Sequence, residues 1–350
     1  MQAPLANSLE ESIHMLRGVT DKQTPHSQAN DRARSIDELL RTEVDLLDEA
    51  LRHTVACGET PATNAAAHLF LAGGKRVRPT TVFLAGACFG PATQTVRELA
   101  VASELVHLAT LLHDDVIDDG MERRGVATAR RVWGNAVSVL AGDLLLTHAL
   151  ARVLSLADNL AMHELIVALR TLVDGEVLQL RGRSTLCLDE EMYFQVIEKK
   201  TASLFVWAAR AGARAGGAKP SEVDAMGAFG AALGAAFQLV DDVLDYAGDA
   251  AQTGKQMHSD LLEGKATLPL IRAVACSNDL SQHILAACKG EARALDLLAE
   301  GVRSTRACDS VRRTAASYTA RAVEAIRSVP NTHAKTLLTQ VAEHLAERVQ

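Results

Sequence analysis

The chain has 350 residues, 48% of them hydrophobic, and a formal net charge of −7. That length supports a large buried core, and the acidic balance excludes the broad basic surface of a general nucleic-acid binder. The six cysteines, Cys57, Cys88, Cys187, Cys276, Cys288 and Cys308, form no C-x-x-C pair, which argues against a zinc ribbon or a disulfide framework and for reduced thiols in a cytoplasmic protein.

Residues 1–34 are polar, contain Pro4 and Pro25, and lack the apolar core of a secretory signal. Glu10, Glu11 and Asp21 fit a mitochondrial transit peptide poorly. The stretch reads as a flexible extension, and 35–350 as one folded domain. The first helix is expected near Ser35, an N-cap with Glu38 at the capping-box position. Turns follow at Gly73-Gly74 and Gly90-Pro91. No proline falls between Pro91 and Pro220. Within that interval Leu99, Ala102, Leu105, Val106, Ala109 and Leu112 form one helical stripe. Leu140, Leu144, Leu145, Ala149 and Val153 form another. Further turns are expected at Gly120, Gly182, Gly216-Gly217 and Gly248. Strand signals are missing, and no uncharged apolar run reaches the roughly 18 residues of a membrane span. The pattern predicts an all-α domain of roughly ten or more helices.

One pattern occurs twice. His113-Asp114-Asp115-Val116-Ile117-Asp118 and Gln238-Leu239-Val240-Asp241-Asp242-Val243-Leu244-Asp245 both read D-D-x-x-D. On a helix, Asp114 and Asp118 share a face, as do Asp241 and Asp245. Each cluster follows an apolar stripe and precedes a glycine, so the carboxylates sit near helix C-termini, where the macrodipole disfavours anions. A single D-D-x-x-D is the ordinary solvated end of a helix. Two copies at unfavourable ends point to a cation, and oxygen donors without paired Cys or His favour Mg²⁺.

Basic residues lie close by. Gly73-Gly74-Lys75-Arg76-Val77-Arg78-Pro79 packs three cations into four residues at a turn before an apolar stretch, a place where backbone N–H groups can meet a phosphate. His107 lies two turns before Asp114 on the same face. Arg123 and Arg124 follow the first cluster, and Lys200-Thr201, Lys255 and Lys265 flank the second. Cations beside both acidic sites in an acidic chain imply a polyanion shared between metal and protein.

These residues resemble the trans-isoprenyl diphosphate synthases, and most of all their long-chain members. The match runs through Gly73-Gly74-Lys75-Arg76-x-Arg78-Pro79, His107, Leu111-Leu112-His113-Asp114-Asp115-x-x-Asp118 and Arg123-Arg124-Gly125. It continues with Gly142-Asp143, Gly175-Glu176, Lys200-Thr201 and Phe237-Gln238-Leu239-x-Asp241-Asp242-x-Leu244-Asp245. It ends with Gly254-Lys255 and Asp260-Leu261-x-Glu263-Gly264-Lys265-x-Thr267-Leu268-Pro269-Leu270. One departure is His258, where relatives carry glycine. The resemblance implies a single domain of antiparallel helices around a deep central cavity, spanning 35–350, working as a homodimer on isopentenyl diphosphate and an allylic diphosphate. No nucleic acid takes part, and the product passes to membrane enzymes. It assigns Asp114, Asp115, Asp118, Asp241, Asp242 and Asp245 to the metal site, with three Mg²⁺ ions when diphosphate is bound and Asp245 in an outer position. Arg123, Lys200, Thr201, Gln238, Lys255 and Lys265 fall to the allylic diphosphate, and Lys75, Arg78, His107 and Arg124 to isopentenyl diphosphate.

The family sets product length by what blocks the cavity below the first cluster. The wall residues are then Thr110, Ala109, Val106, Ser103 and Ala102. None is aromatic, and turns that each rise about 5.4 Å leave room for a long product, about C35–C50, a quinone side-chain precursor. The alternative is a farnesyl or geranylgeranyl diphosphate synthase plugged by Leu144, Leu145 or His148. A class I terpene cyclase would pair its D-D-x-x-D with a different metal motif and has no use for the Gly73–Pro79 anion site. A non-catalytic subunit of a heteromeric synthase would lose metal aspartates that are present here. Glu104-x-x-His107 matches one half of a di-iron bundle motif, without a second half.

Overall fold

The computed structural model describes residues 27–56, 58–185, 187–247 and 259–347. Its helices are α1 (Ser27–Ala56), α2 (Pro61–Leu71), α3 (Val77–Ala87), α4 (Gln94–Ile117), α5 (Ala129–Trp133), α6 (Asn135–Ser155), α7 (Asn159–Thr185) and α8 (Glu190–Ile197). They continue with α9 (Ser203–Ala215), α10 (Pro220–Ala247), α11 (Ser259–Leu262), α12 (Leu268–Cys276), α13 (Ser281–Cys288), α14 (Ala292–Ser304), α15 (Ala307–Ala325) and α16 (His333–Glu347). This is the all-α class the periodicity predicts.

Two local expectations are corrected. Helix α1 starts at Ser27, ahead of Ser35. No glycine or proline stands between Pro25 and Ser35, so nothing stops the helix from running through the capping-box sequence. Residues 27–34 are therefore helical, while 1–26 lie outside the described residues. Strands do occur, two residues each: β1 (Glu122–Arg123) pairs antiparallel with β2 (Val126–Ala127). Their link, Arg124-Gly125, has φ of +53° and +76°, the two left-handed residues of a type I′ turn. Strands this short leave no alternation to read.

The long helices pack as layers around two apolar clusters. The larger is built on α1–α4, α6, α7, α9, α16 and the first half of α10. The smaller gathers α8, the second half of α10 and α12–α15. Helix α4 lies along α6, and α10 lies against α9 and α15. Between α8 and α9 a π-helical turn spans Glu198–Ala202. Gly175 of α7 fits against it: a Cβ there would stand 2.7 Å from the Lys200 backbone nitrogen, so only glycine lets α7 approach so closely. Helices α6 and α10 are each long and apolar enough to cross a membrane by length and composition. The apolar stretch of α10 is mostly buried in the fold, and that of α6 is one-third buried.

Candidate active site

The aspartate clusters end two helices rooted in different parts of the core. Helix α4 closes after Ile117 with Asp119 in the left-handed conformation (φ +54°). The Gly120 N–H donates to the Asp115 carbonyl at 2.9 Å, the long bond of a Schellman motif. Asp114, Asp115 and Asp118 therefore fan out around the last turn, and their side chains meet different partners.

The Lys200 ammonium stands 3.7 Å from Asp114. It also pairs with Glu176 and donates to Gln179 at 2.8 Å. Burial pushes the Asp114 carboxyl up to about 6, against the pull of Lys200. Asp118 receives two cations: Arg183 Nη1 at 2.6 Å on one oxygen and Lys265 Nζ at 2.6 Å on the other. Burial opposes the Lys265 charge, but Glu263 and Asp118 outweigh it and hold the ammonium above its ordinary value. Asp115 faces away from this group. It is 2% exposed, and one of its oxygens takes two bonds from Arg123, at 2.8 and 2.7 Å.

The second cluster sits in the last turns of α10. Asp241 and Asp245 are partly exposed, whereas Asp242 is 1% exposed. Both Asp242 oxygens accept hydrogen bonds, from Tyr193 Oη at 2.5 Å and from Gln238 Nε2 at 2.8 Å. Thr201 Oγ1 donates to Gln238 Oε1 at 2.9 Å. Burial and then the nearby Asp260 push the Asp242 carboxyl up to about 7, and the two hydrogen bonds oppose this. The π-helical turn thus ties the clusters together, with Lys200 reaching Asp114 and Thr201 reaching the Gln238–Asp242 pair. Its wider turn, closed by i→i+5 bonds, places two successive residues at the site, a recurrent use of π-bulges.

The six aspartates do not stand alike. The outer carboxylates of each motif, Asp114 with Asp118 and Asp241 with Asp245, remain candidates for a metal. Asp242 is buried with both oxygens engaged by protein donors, and Asp115 is buried with one oxygen on Arg123 and its Oδ2 without a hydrogen-bond partner among the described residues. The physical reason lies in the helix, since consecutive residues point about 100° apart and the second aspartate of a D-D pair cannot share the face of the first.

A second group of cations surrounds His107. Arg76, in the left-handed conformation at the head of α3, is buried and paired with Asp48 at 3.0 Å and Glu104 at 2.7 Å. Its Nη2 is buried without a hydrogen-bond partner among the described residues. The Arg78 guanidinium lies 4.7 Å over the Phe205 ring. Its Nε and Arg124 Nη1 are buried without a hydrogen-bond partner among the described residues. Burial pulls both guanidiniums down to about 10. Burial and then Arg78, Arg124, Arg123 and Arg76 hold the His107 imidazole well below its usual value, hence neutral at pH 7. Gly74 makes room here: a Cβ on it would meet the Arg124 and Arg76 guanidiniums at 3.0 Å. Lys75 is partly exposed on the same turn. Buried guanidinium groups with empty donor positions are costly unless an anion completes them.

Of the wall residues, Thr110 is partly exposed and Ala109 is 2% exposed, while Ala102, Ser103 and Val106 are fully buried in the packed core. Glu104 is committed to Arg76, so the Glu104-x-x-His107 pattern belongs to a structural ion pair. Lys255 and His258 lie outside the described residues. The sequence reading did not single out Gln179, Arg183 or Tyr193, and it quoted Glu176 only within a motif. Tyr193 and Arg183 carry no local signal, since they meet their aspartates from 49 and 65 residues away.

Comparison with known proteins gives the family. The chain matches the Polyprenyl synthetase family over residues 59–301. It is 36% identical over 279 residues to an octaprenyl diphosphate synthase of Escherichia coli, covering 79% of this chain and 86% of the relative. It is 32% identical to a short chain isoprenyl diphosphate synthase of Methanothermobacter thermautotrophicus, covering 89% and 98%. The crystal structure of a polyprenyl synthase from Caulobacter crescentus, complexed with calcium and isoprenyl diphosphate, superposes with a TM-score of 0.85 at 33% identity, covering 89% of this chain and 97% of that one. The chain belongs to the polyprenyl synthetase family of prenyltransferases.

Proposed function

We propose that this enzyme extends an allylic diphosphate with isopentenyl diphosphate to a long all-trans polyprenyl diphosphate, about C35–C50 in the sense that several small wall residues allow several turns of about 5.4 Å each. The observation that carries the reaction is a pair of distinct anion sites: a carboxylate-and-lysine site at Asp114, Asp118, Asp241 and Lys200, and a carboxylate-poor site at Arg78, Arg124 and neutral His107. The first suits a diphosphate that arrives with metal, the second one that arrives without. Among the described residues no three ligating side chains form a ready-made cation cage. That fits Mg²⁺, which takes one or two carboxylates and completes its shell with substrate phosphate oxygens. Asp114, Asp118, Asp241 and, further out, Asp245 would hold the ions, three in number with diphosphate bound, and when bound they would supply charge to the leaving group.

The protein's own groups do the rest. Lys200 and Lys265, with Lys255, neutralise the departing diphosphate as the allylic C–O bond breaks. Arg78, Arg124 and Lys75 fix isopentenyl diphosphate so that its double bond reaches the cationic carbon. The new C–C bond forms, and a proton leaves the adjacent carbon for the released diphosphate. Thr201 and Gln238 orient the α10 carboxylates.

Two observations bear on product length. Ala109 and Thr110 offer little bulk beneath Asp114, which favours a long product. The complete burial of Val106, Ser103 and Ala102 favours the short-chain alternative, with the wall closed one turn lower. Helices α6 and α7 expose Leu140, Leu154, Ile166, Val173 and Val177, an apolar face of the kind that marks an interface, and we assign it to a second copy of this chain in the cytoplasm. The decisive experiment is incubation of the purified protein with isopentenyl diphosphate, several allylic primers and Mg²⁺, followed by chain-length analysis. Products of C35 or longer are expected, with none in excess EDTA. Turnover without isopentenyl diphosphate would overturn the reading in favour of a cyclase. Arg78→Ala should raise KM for isopentenyl diphosphate, and Lys200→Ala should act through the allylic substrate; one common defect would refute the division of sites.

A further inference from the structure

Asp118 is the candidate metal ligand whose two oxygens are both taken by protein cations, Arg183 Nη1 and Lys265 Nζ, each at 2.6 Å. Lys265 belongs to the matched motifs, but Arg183 does not: it lies at the end of α7, in the stretch between Gly175-Glu176 and Lys200-Thr201 that no motif covers. Its position is built. The Asp118 carboxylate is 6% exposed and the Arg183 side chain 22%. A Cβ on Gly264, the residue before Lys265, would stand 3.8 Å from Arg183 Nε. The end of α7 and the Glu263–Lys265 turn therefore close over one carboxylate from two sides.

The charge count at this spot is uneven. Lys265 already has Glu263 at 2.6 Å, so it would keep a partner if it let go of Asp118. Arg183 has Asp118 as its only ion-pair partner among the described residues. A guanidinium stays charged at any pH the protein meets. An ion binding to Asp118 must share or displace these cations, and a displaced Arg183 needs another anion within reach. The anion that comes with the metal is the diphosphate.

We propose that Arg183 is a further diphosphate-binding residue of the allylic site: it holds Asp118 until magnesium and diphosphate arrive together, then passes to a diphosphate oxygen. This rests on the reading of Asp114, Asp118 and Asp241 as the metal–diphosphate site. The arrangement makes magnesium alone a weak ligand and makes magnesium with diphosphate a strong one, because only the pair gives Arg183 somewhere to go. Asp118 is then guarded against an unproductive ion without substrate.

Calorimetric titration of the full-length protein, freed of metal, tests this with two probes: MgCl₂ alone, and inorganic diphosphate in saturating Mg²⁺. For Arg183→Gln we expect diphosphate binding to weaken roughly tenfold, the usual scale for one charge-assisted hydrogen bond, while Mg²⁺ alone binds more tightly because its competitor is gone. Arg183→Lys keeps the charge and should fall between Gln and wild type on both probes. Opposite shifts of the two affinities support the proposal. A tie that merely pins α7 would move thermal stability and leave both affinities alone, which overturns it. Weaker diphosphate binding with unchanged Mg²⁺ binding overturns the exchange on Asp118. If the wild-type protein binds no diphosphate in Mg²⁺, the reading of the site itself has failed, an outcome distinct from an Arg183→Gln protein that binds like wild type.

Discussion

The two aspartate clusters have the same spelling and the same place at a helix end, yet they are held by different chemistry. Around α4 every aspartate meets a cation: Lys200 at Asp114, Arg123 at Asp115, Arg183 and Lys265 at Asp118. At the end of α10 the buried member, Asp242, is held by a phenol and an amide, both neutral. The first cluster already carries much of its countercharge. The second meets its buried charge by letting the Asp242 proton stay on to about 7. The buried member of one motif can therefore be held by a cation and that of the other by neutral donors, and the neighbours decide which.

The sharpest way to break the comparison is to remove one outer carboxylate from each cluster. Asp114→Ala and Asp241→Ala should each raise the barrier by several kcal/mol, roughly a thousandfold or more in kcat, through loss of metal-borne charge stabilisation. Similar losses are expected because both clusters would serve one diphosphate. Steady-state kinetics at saturating Mg²⁺ measure this, and a tolerated Asp241→Ala would mean that the α10 cluster is structural.

The buried members separate the clusters by stability. Arg123→Met leaves Asp115 buried without its ion partner and should cost about 3–5 kcal/mol, as broken buried pairs do. Tyr193→Phe removes one neutral donor from Asp242 and should cost about 1–3 kcal/mol. Urea denaturation of the metal-free proteins gives both numbers. Equal losses would erase the distinction between a charge-held and a neutrally held carboxylate.

How far such distinctions can be read from sequence depends on their range. The helices and the two outer aspartate pairs follow from spacing and residue type, whereas the grouping of Arg78, His107 and Arg124 comes from the family resemblance. The resemblance places Asp115 and Asp242 with their neighbours at the metal, although adjacent helical residues point about 100° apart. The Tyr193–Asp242 and Arg183–Asp118 contacts were not legible. They join residues 49 and 65 positions apart and depend on how α8 and α7 pack on the ends of α10 and α4. Arg76 misleads for the same reason. It reads as one of three phosphate-binding cations, but Asp48 and Glu104 consume its charge, and neither lies near it in sequence.

A smaller effect sharpens the comparison through pH. Asp242 is raised from 3.8 to about 7 and Asp114 from 3.8 to about 6, burial being the leading cause in both. A carboxyl raised in the folded state contributes its full stability while both states hold the proton. It loses that contribution as the unfolded chain ionises and the folded one does not. The metal-free protein should therefore lose stability as pH rises from about 4 to about 7, Asp114 accounting for the part that ends near 6 and Asp242 for the remainder. Asp242→Asn should flatten the upper part of that slope in a thermal melt series. A slope that is unchanged in Asp242→Asn would place the titrating group elsewhere.

The last difference lies beneath the clusters. Below the second, Gly230 lets α10 close tightly on α9 and Gly234 lets it close on the π-helical turn, since a Cβ at either would meet backbone atoms within 3.0 Å. Below the first, the side chain next in line is Ala109, with Thr110 beside it. If the product runs down this side, Ala109→Phe should shorten it to a C15–C20 size, on the argument that a ring fills about one helical turn, about 5.4 Å of wall, and the metal and diphosphate sites above should keep their affinities. If Ala109 only packs against its neighbours, where it is already 2% exposed, the added ring should cost roughly 1–3 kcal/mol through overpacking and leave the product unchanged. Mass spectrometry of the products of the folded variant separates the two. An unchanged profile would place the floor of the site away from α4, and with it the support for a long product.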